Sequence, residues 1–431
     1  MFRRHWSALP KDPVSPSTLE GLGYFINDDD EIRSIENPDC YFKYMINRND
    51  RINYRQRFHF ALAMEDVILK RLEDEGMEQL PLPNGAQPTE PHIPILVSPD
   101  FGSKERIVLV VNDTTQALGM LAARVANGRG GLNKGSMVSL VRNIRDKLPN
   151  TGIVIANVGA LHWWPEGKRA ITGFASEAVP LSSLVCYGKR VVDSVNRVPG
   201  HETDMEHLKR IFELIEEKGH KDVEVDVYGI EKGAELVEKM FDDEENWQRW
   251  GGMLESMVLF GTHRDLTWMH NDKLKAFLAK RCRCYAISSE PLDTPLSGPS
   301  GNTDLGIPPL GAPVYSSSEE CYAELMSITA QDAALSHLAE VAGHQDFTNP
   351  EVVPPVRAND VDETENADGE GVSSWDEVRE GDKPVVEMID EKVLEEQRMW
   401  NRWEESGVAE SGDWGEKDKD GKATDTNTAF L

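Results

Sequence analysis

Along the first 350 residues the apolar positions alternate between two rhythms. RIVLVV (106–111), TGIVIANVG (151–159) and LESMVLFGT (254–262) are short continuous apolar runs, the pattern of strands buried on both faces. CYAISS (284–289) and APVYS (312–316) read as further strands. Between them, Met205, Leu208, Ile211, Phe212 and Ile215 recur at helical spacing and predict a helix over Glu202–Lys218. The same periodicity predicts helices over residues 116–125, 137–148, 232–241, 272–280 and 331–342. Ahead of this series, residues 22–45 read as an extended hairpin turning at NDDD. A helix follows from about Arg51 to Glu75, with Tyr54, Phe58, Leu62, Ile68, Leu69 and Leu72 as its apolar stripe and Glu65 interrupting it. PLPNGAQPTEPHIP then reads as a turn-rich connector. The rhythm predicts an α/β domain over about residues 20–345, a mostly parallel sheet with helices on both faces behind an N-terminal hairpin and helix. One strand breaks the pattern. VEVDVY (223–228) alternates apolar and acidic residues, so either one face is wet or Glu224 and Asp226 have buried partners.

That strand leads into Gly229-Ile230-Glu231-Lys232-Gly233 and then a helix. The layout is that of an α/β-hydrolase nucleophile elbow, G-x-S-x-G, with Glu231 where the serine would stand. Gly229 and Gly233 occupy the places where a Cβ would obstruct the turn. Two readings follow: a carboxylate nucleophile, which also needs a base and oxyanion donors, or an acid favoured by the helix N-terminus.

A triad needs an acid and then a histidine after the elbow. SSEPLDTPL (288–296) offers Glu290 and Asp293, but no histidine lies between Ala312 and Ser336. His263 and His270 come too early, and His337 and His344 fall in or past the last helix; all four read as surface or helix-cap residues. RIVLVV ends in NDTT with no glycine before Gly119, a poor oxyanion turn. NGRGGLNKGS fails the order of a phosphate-binding loop and reads as a flexible loop. HWWPEGKR (162–169) sets Trp163 and Trp164 beside Lys168 and Arg169, either to stack a ligand or as a lid packed by its tryptophans.

Composition sharpens the division of the chain. Net charge is −29, and residues 351–431 hold 24 acidic against 9 basic residues. This acidic segment is predicted to be a disordered tail. Within it, residues 390–407 predict a short helix carrying Trp400 and Trp403, either a latch on the chain's own domain or a partner motif. The acid excess argues against broad contact with nucleic-acid phosphates and suits a basic protein partner such as a histone. Cys282-Arg-Cys284 lacks zinc spacing, and the five cysteines read as structural thiols, so no metal or cofactor is expected. The N-terminus lacks the apolar core of a signal peptide and no run is long enough to span a membrane, so a nuclear or cytoplasmic place is expected.

GYFINDDDEIRSIE, RIVLVV with LGMLAARV behind it, the elbow, and SSEPLDTPL followed by GAPVYSSSEECYAEL occur in an order that resembles the Argonaute-binding protein two (Arb-two) domain family. The family includes the fission-yeast Argonaute chaperone subunit, the domain behind fungal class II histone deacetylases, and an animal co-transcriptional regulator. The resemblance implies an α/β-hydrolase-like fold used for binding, and partners such as Argonaute, a histone deacetylase complex or small RNA. Relatives with an H-E-L motif after the last strand align it with Ala323-Glu324-Leu325, so the triad positions of this chain would be Glu231, Asp293 and Ala323. The expectation is a catalytically inactive interaction domain in small-RNA-directed heterochromatin formation. Its rivals are a hydrolase using Glu231 with Asp293 in support, and a small-molecule sensor.

Overall fold

In a computed structural model the continuous apolar runs become the interior of one sheet. The structure describes residues 8–352 except 14, 187–191 and 345, so the acidic tail with Trp400 and Trp403 lies outside the described residues. The strands are β1 (Tyr24–Ile26), β2 (Ile32–Ser34), β3 (Glu78–Leu82), β4 (Ile93–Val97), β5 (Arg106–Val111), β6 (Gly152–Ile155), β7 (His162–Trp164), β8 (Arg169–Ile171), β9 (Glu224–Ile230), β10 (Leu254–Phe260), β11 (Cys282–Ala286), β12 (Pro295–Ser297) and β13 (Val314–Ser316). Nine of them form a sheet of order β12-β13-β11-β10-β9-β5-β6-β4-β3. The six from β13 to β6 run parallel, while β4 opposes β6, β3 opposes β4 and β12 opposes β13.

Helices cover both faces because side chains alternate along each strand. Val108 and Val110 of β5 pack on the face of helices Asp50–Asp74, Met137–Lys147 and Gln331–Ala342, through Ile68, Val141 and Leu335. Ile107, Leu109 and Val111 pack on the opposite face, against Phe212, Val237 and Leu278 of helices Asp204–Lys218, Lys232–Asp242 and Asp272–Arg281. Caps fix several of these helices. Thr203 and Glu206 form a reciprocal capping box, and Asn49 and Asn271 accept first-turn amides.

The acidic alternation in β9 has a buried answer. Asp226 is fully buried and takes Arg106 as a fork, Nε to Oδ2 at 2.5 Å and Nη2 to Oδ1 at 2.7 Å. Ser256 donates its hydroxyl to the same carboxylate. Register pairs Arg106 with Glu224 directly, leaving Asp226 diagonal to the arginine on one face.

Three expectations are corrected. The predicted helix over residues 116–125 is helical only at Ala123–Ala126, because Gly119 turns with φ +83° and Asn112 holds the Met120 carbonyl. NGRGGLNKGS is not a loose loop. It contains a helical turn, Gly131–Lys134, clamped by Asp30 of the β1–β2 turn, which accepts from the Leu132 and Asn133 amides at 3.0 and 2.7 Å. A Cβ on Gly131 would lie 2.6 Å from the Asp30 carbonyl oxygen, so the close approach requires glycine. The connector PLPNGAQPTEPHIP instead supplies parts of β3 and β4.

Candidate functional site

The parallel strands all end on one side of the sheet, where α/β folds build their sites. Glu231 stands there, between β9 and its helix, with φ 53° and ψ −124°. A side chain held at positive φ is strained, by an order of 1–3 kcal/mol. The two glycines are steric requirements of the turn. A Cβ on Gly229 would lie 2.9 Å from both Ala234 Cα and Leu259 Cδ2, and one on Gly233 would lie 2.2 Å from the Asn112 carbonyl oxygen. The Glu231 amide donates to the Phe260 carbonyl at 2.7 Å, tying the elbow to the end of β10.

The carboxyl of Glu231 lies over Gly261, at whose Cβ position its Oε1 would be 3.5 Å away and Met326 Cε 2.8 Å. Oε1 is buried without a hydrogen-bond partner among the described residues. Burial, with Asp113, Glu324 and Glu235 as neighbouring charges, pushes its pKa up to about 7. The charges that raise it are all acids. Asp113 follows β5, Glu235 is one turn into the elbow helix, and Glu324 follows β13, so three separate segments bring carboxylates to this point.

Asp293 and Ala323, the other two expected triad positions, follow β11 and β13. Asp293 lies in the exposed loop after β11, with φ 63°. It accepts from the Tyr285 hydroxyl at 3.0 Å and faces Arg283 at 3.6 Å. Ala323 begins the helix Ala323–Thr329 after β13, where its methyl can neither accept nor pass a proton. No histidine hydrogen bonds to Glu231 among the described residues. His263 lines an open cleft of about 450 Å³ with Thr114, Lys232, Arg264 and Trp268, on the side of the elbow helix. The backbone N–H of His270 donates to Asp242, and His344 bonds its own helix at the Glu340 carbonyl. His337 corrects the surface reading: it is fully buried against Phe347, and burial lowers its pKa to about 3.

The tryptophan pair forms part of the short hairpin β7–β8. Trp163 is 2% exposed, packed with Ile93, Ala170 and Val198, while Trp164 meets Phe58 edge to face at 5.2 Å. Sequence reasoning located the elbow and missed the acids around it. Asp113 was visible as the end of the NDTT turn, but nothing local marks Glu235 or Glu324 as its neighbours.

The sheet order, the elbow and its strained central residue make this an α/β-hydrolase-like fold. No curated protein matches the chain. Solved structures similar to it include a highly thermostable carboxyl esterase from Bacillus coagulans, at 12% identity over 47% of this chain and 49% of that one with a TM-score of 0.25. An α/β serine hydrolase without lid from Xanthomonas campestris matches at 10% identity, 61% and 92% coverage and TM-score 0.30. Carboxyl esterase 2 from Tuber melanosporum matches at 12%, 62% and 85%, and 0.29. The chain spans about half the length of the Bacillus esterase. The model of the Arb2 domain matches residues 15–292, a span that contains the elbow and ends one residue before Asp293. With more than half of its length matched, the chain belongs to the Arb2 domain family.

Proposed function

We propose that this protein is a non-catalytic interaction domain on a hydrolase scaffold, acting in small-RNA-directed heterochromatin formation through Argonaute or histone-modifying partners. The observation that carries the non-catalytic part is Glu231 itself. It holds the nucleophile position among Asp113, Glu235 and Glu324, with its pKa pushed up to about 7 and no base hydrogen-bonded to it among the described residues. A carboxylate nucleophile must be ionised to attack, and the acylated carboxyl it forms, a mixed anhydride when an ester loses its alcohol, must then be cleaved by an activated water. Burial and like charge oppose the first step, and Ala323 supplies nothing for the second. The choice of partner rests on kinship with the Arb2 family and on the acid excess, which favours a basic protein surface over phosphate.

Two measurements test this reading. Affinity purification of the full chain from nuclease-treated native extract is expected to recover Argonaute or a histone-modifying complex, and a chain ending at Pro350 locates the contact in the tail or the domain. Short-chain aryl esters should show no turnover that Glu231→Gln removes. Esterase activity abolished by that substitution would sink the non-catalytic reading, and a chain that retains no such partner would sink the silencing role.

A further inference from the structure

A second cavity, of about 330 Å³, reaches the turn after β5 through Thr115, Gln116 and Ala117, but Glu231 is not in its wall. One face of the helix Asp50–Asp74 forms its floor: Arg57, Phe58, Ala61, Leu62 and Glu65 follow each other at helical spacing. Phe42, Met120, Ile171 and Phe174 close it from other segments. The floor from Arg57 to Glu65 is about 12 Å long at the rise of an α-helix. Its lining is mainly apolar, as in small-molecule sites of similar size.

The two ends differ in charge. At the mouth, Tyr54 and Phe174 are 44% and 55% exposed, large rings left in water beside a mainly apolar cavity. Arg57 sits between aromatic faces there, 4.6 Å from the Phe174 ring centre and 6.0 Å from that of Tyr44. Among the described residues it makes no ion pair. In a chain of net charge −29, this is a positioned cation without an acid on it. At the far end Glu65 is buried and already paired with Arg169 at 3.1 Å, so it makes no unmet demand for a cation.

We propose that this cavity binds a small amphiphile with a slender apolar body, such as a medium-chain acyl carboxylate. Its chain lies along the helix face and its carboxylate meets Arg57. An extended chain of roughly ten carbons spans the floor. The site does not depend on whether Glu231 is catalytically inert.

Calorimetric titration of the full chain with decanoate, below its micelle concentration, and with 1-decanol tests the proposal. Decanoate should bind once per chain. Arg57→Gln should weaken decanoate about tenfold, the loss of one charge-assisted contact, and leave 1-decanol unchanged. Ala61→Trp, which fills the floor from an exposed helix position, should abolish both while the thermal unfolding midpoint holds. Because Arg57→Gln alters only an exposed side chain, it reads the site even if the tryptophan variant misfolds. No binding by the unmodified chain, undiminished binding in Ala61→Trp, or equal weakening of both ligands by Arg57→Gln would overturn the assignment.

Discussion

Asp226 and Glu231 lie five residues apart on the same strand and its elbow, and the molecule treats the two carboxyls in opposite ways. Asp226, in the body of β9, is fully buried and held by Arg106 and Ser256. Glu231, at the carboxyl end, is half-buried and strained at φ 53°, and Asp113, Glu324 and Glu235 add to burial in raising its carboxyl. Glu231 Oε1 is one of several buried polar atoms without a partner among the described residues, Glu238 Oε1 being another, and what sets it apart is its place on the strained turn at the end of β9. Burial raises the Asp226 carboxyl as well, but Arg106 and Ser256 pull against it. The deeper of the two carboxyls is the one with partners.

The largest effect should come from breaking the satisfied site. Asp226→Ala leaves the Arg106 guanidinium, 13% exposed, with the more distant Glu224 carboxylate and the Leu338 carbonyl, each at 3.5 Å. Removing one member of a buried ion pair costs about 3–5 kcal/mol. Urea unfolding at pH 7 should show that loss, and a loss under about 1 kcal/mol would mean that water already reaches the pair.

Breaking the unsatisfied site should do the reverse, and only at higher pH. The folded-state pKa of Glu231, about 7, lies above the ordinary 4.5 of the unfolded chain. Below that lower value both states hold the proton and nothing is lost. As pH rises, the unfolded chain ionises first and the folded state is penalised, fully so above about pH 7. Discounted for the water that reaches a half-buried group, the penalty is about 1–2 kcal/mol. Glu231→Gln should therefore be the more stable protein at pH 8 by that amount and nearly equal to the parent at pH 4. A difference independent of pH would assign the gain to packing.

The same contrast governs what the sequence could reveal. β5, β6 and β10 were legible as unbroken apolar runs, and the helix over 331–342 by its period, because each pattern is set by local burial. The elbow was legible because its two glycines stand at the fixed spacing that a strand-to-helix turn requires, although the atoms that demand them include Leu259 of β10 and Asn112 after β5. β3 and β4 were not, since Pro81 and Pro94 made EQLPL and IPILV resemble a connector. In the sheet these prolines face each other directly. Opposed residues in an antiparallel pair exchange two N–H bonds or none, and two prolines fit only the second case. The false helix at 116–125 arose because Leu118, Met120 and Leu121 are buried in an irregular turn, which imitates helical spacing. The partner of Asp226 lies 120 residues away, and the acids around Glu231 come from three segments. Such pairings are fixed by strand order and carry no local signature.

The smallest effect is also the most specific. After burial, Asp113 contributes most to raising the Glu231 carboxyl, then Glu324, then Glu235. Asp113→Asn should lower the Glu231 pKa and return a few tenths of a kcal/mol at pH 8, the size of one partly screened repulsion. Glu324→Gln acts twice. It removes a like charge and frees Arg124, now bound to Glu324 at 2.8 Å and stacked 4.1 Å over Tyr322, to favour the ionised form. Combining Glu324→Gln with Arg124→Gln isolates the first contribution, which should then be smaller than that of Asp113→Asn. Carboxyl carbon chemical shifts followed from pH 4 to 9, with the Glu231 signal assigned by its absence in Glu231→Gln, measure the order directly. If neither substitution moves the midpoint, desolvation alone holds the proton. The surrounding acids would then have no part in raising the carboxyl.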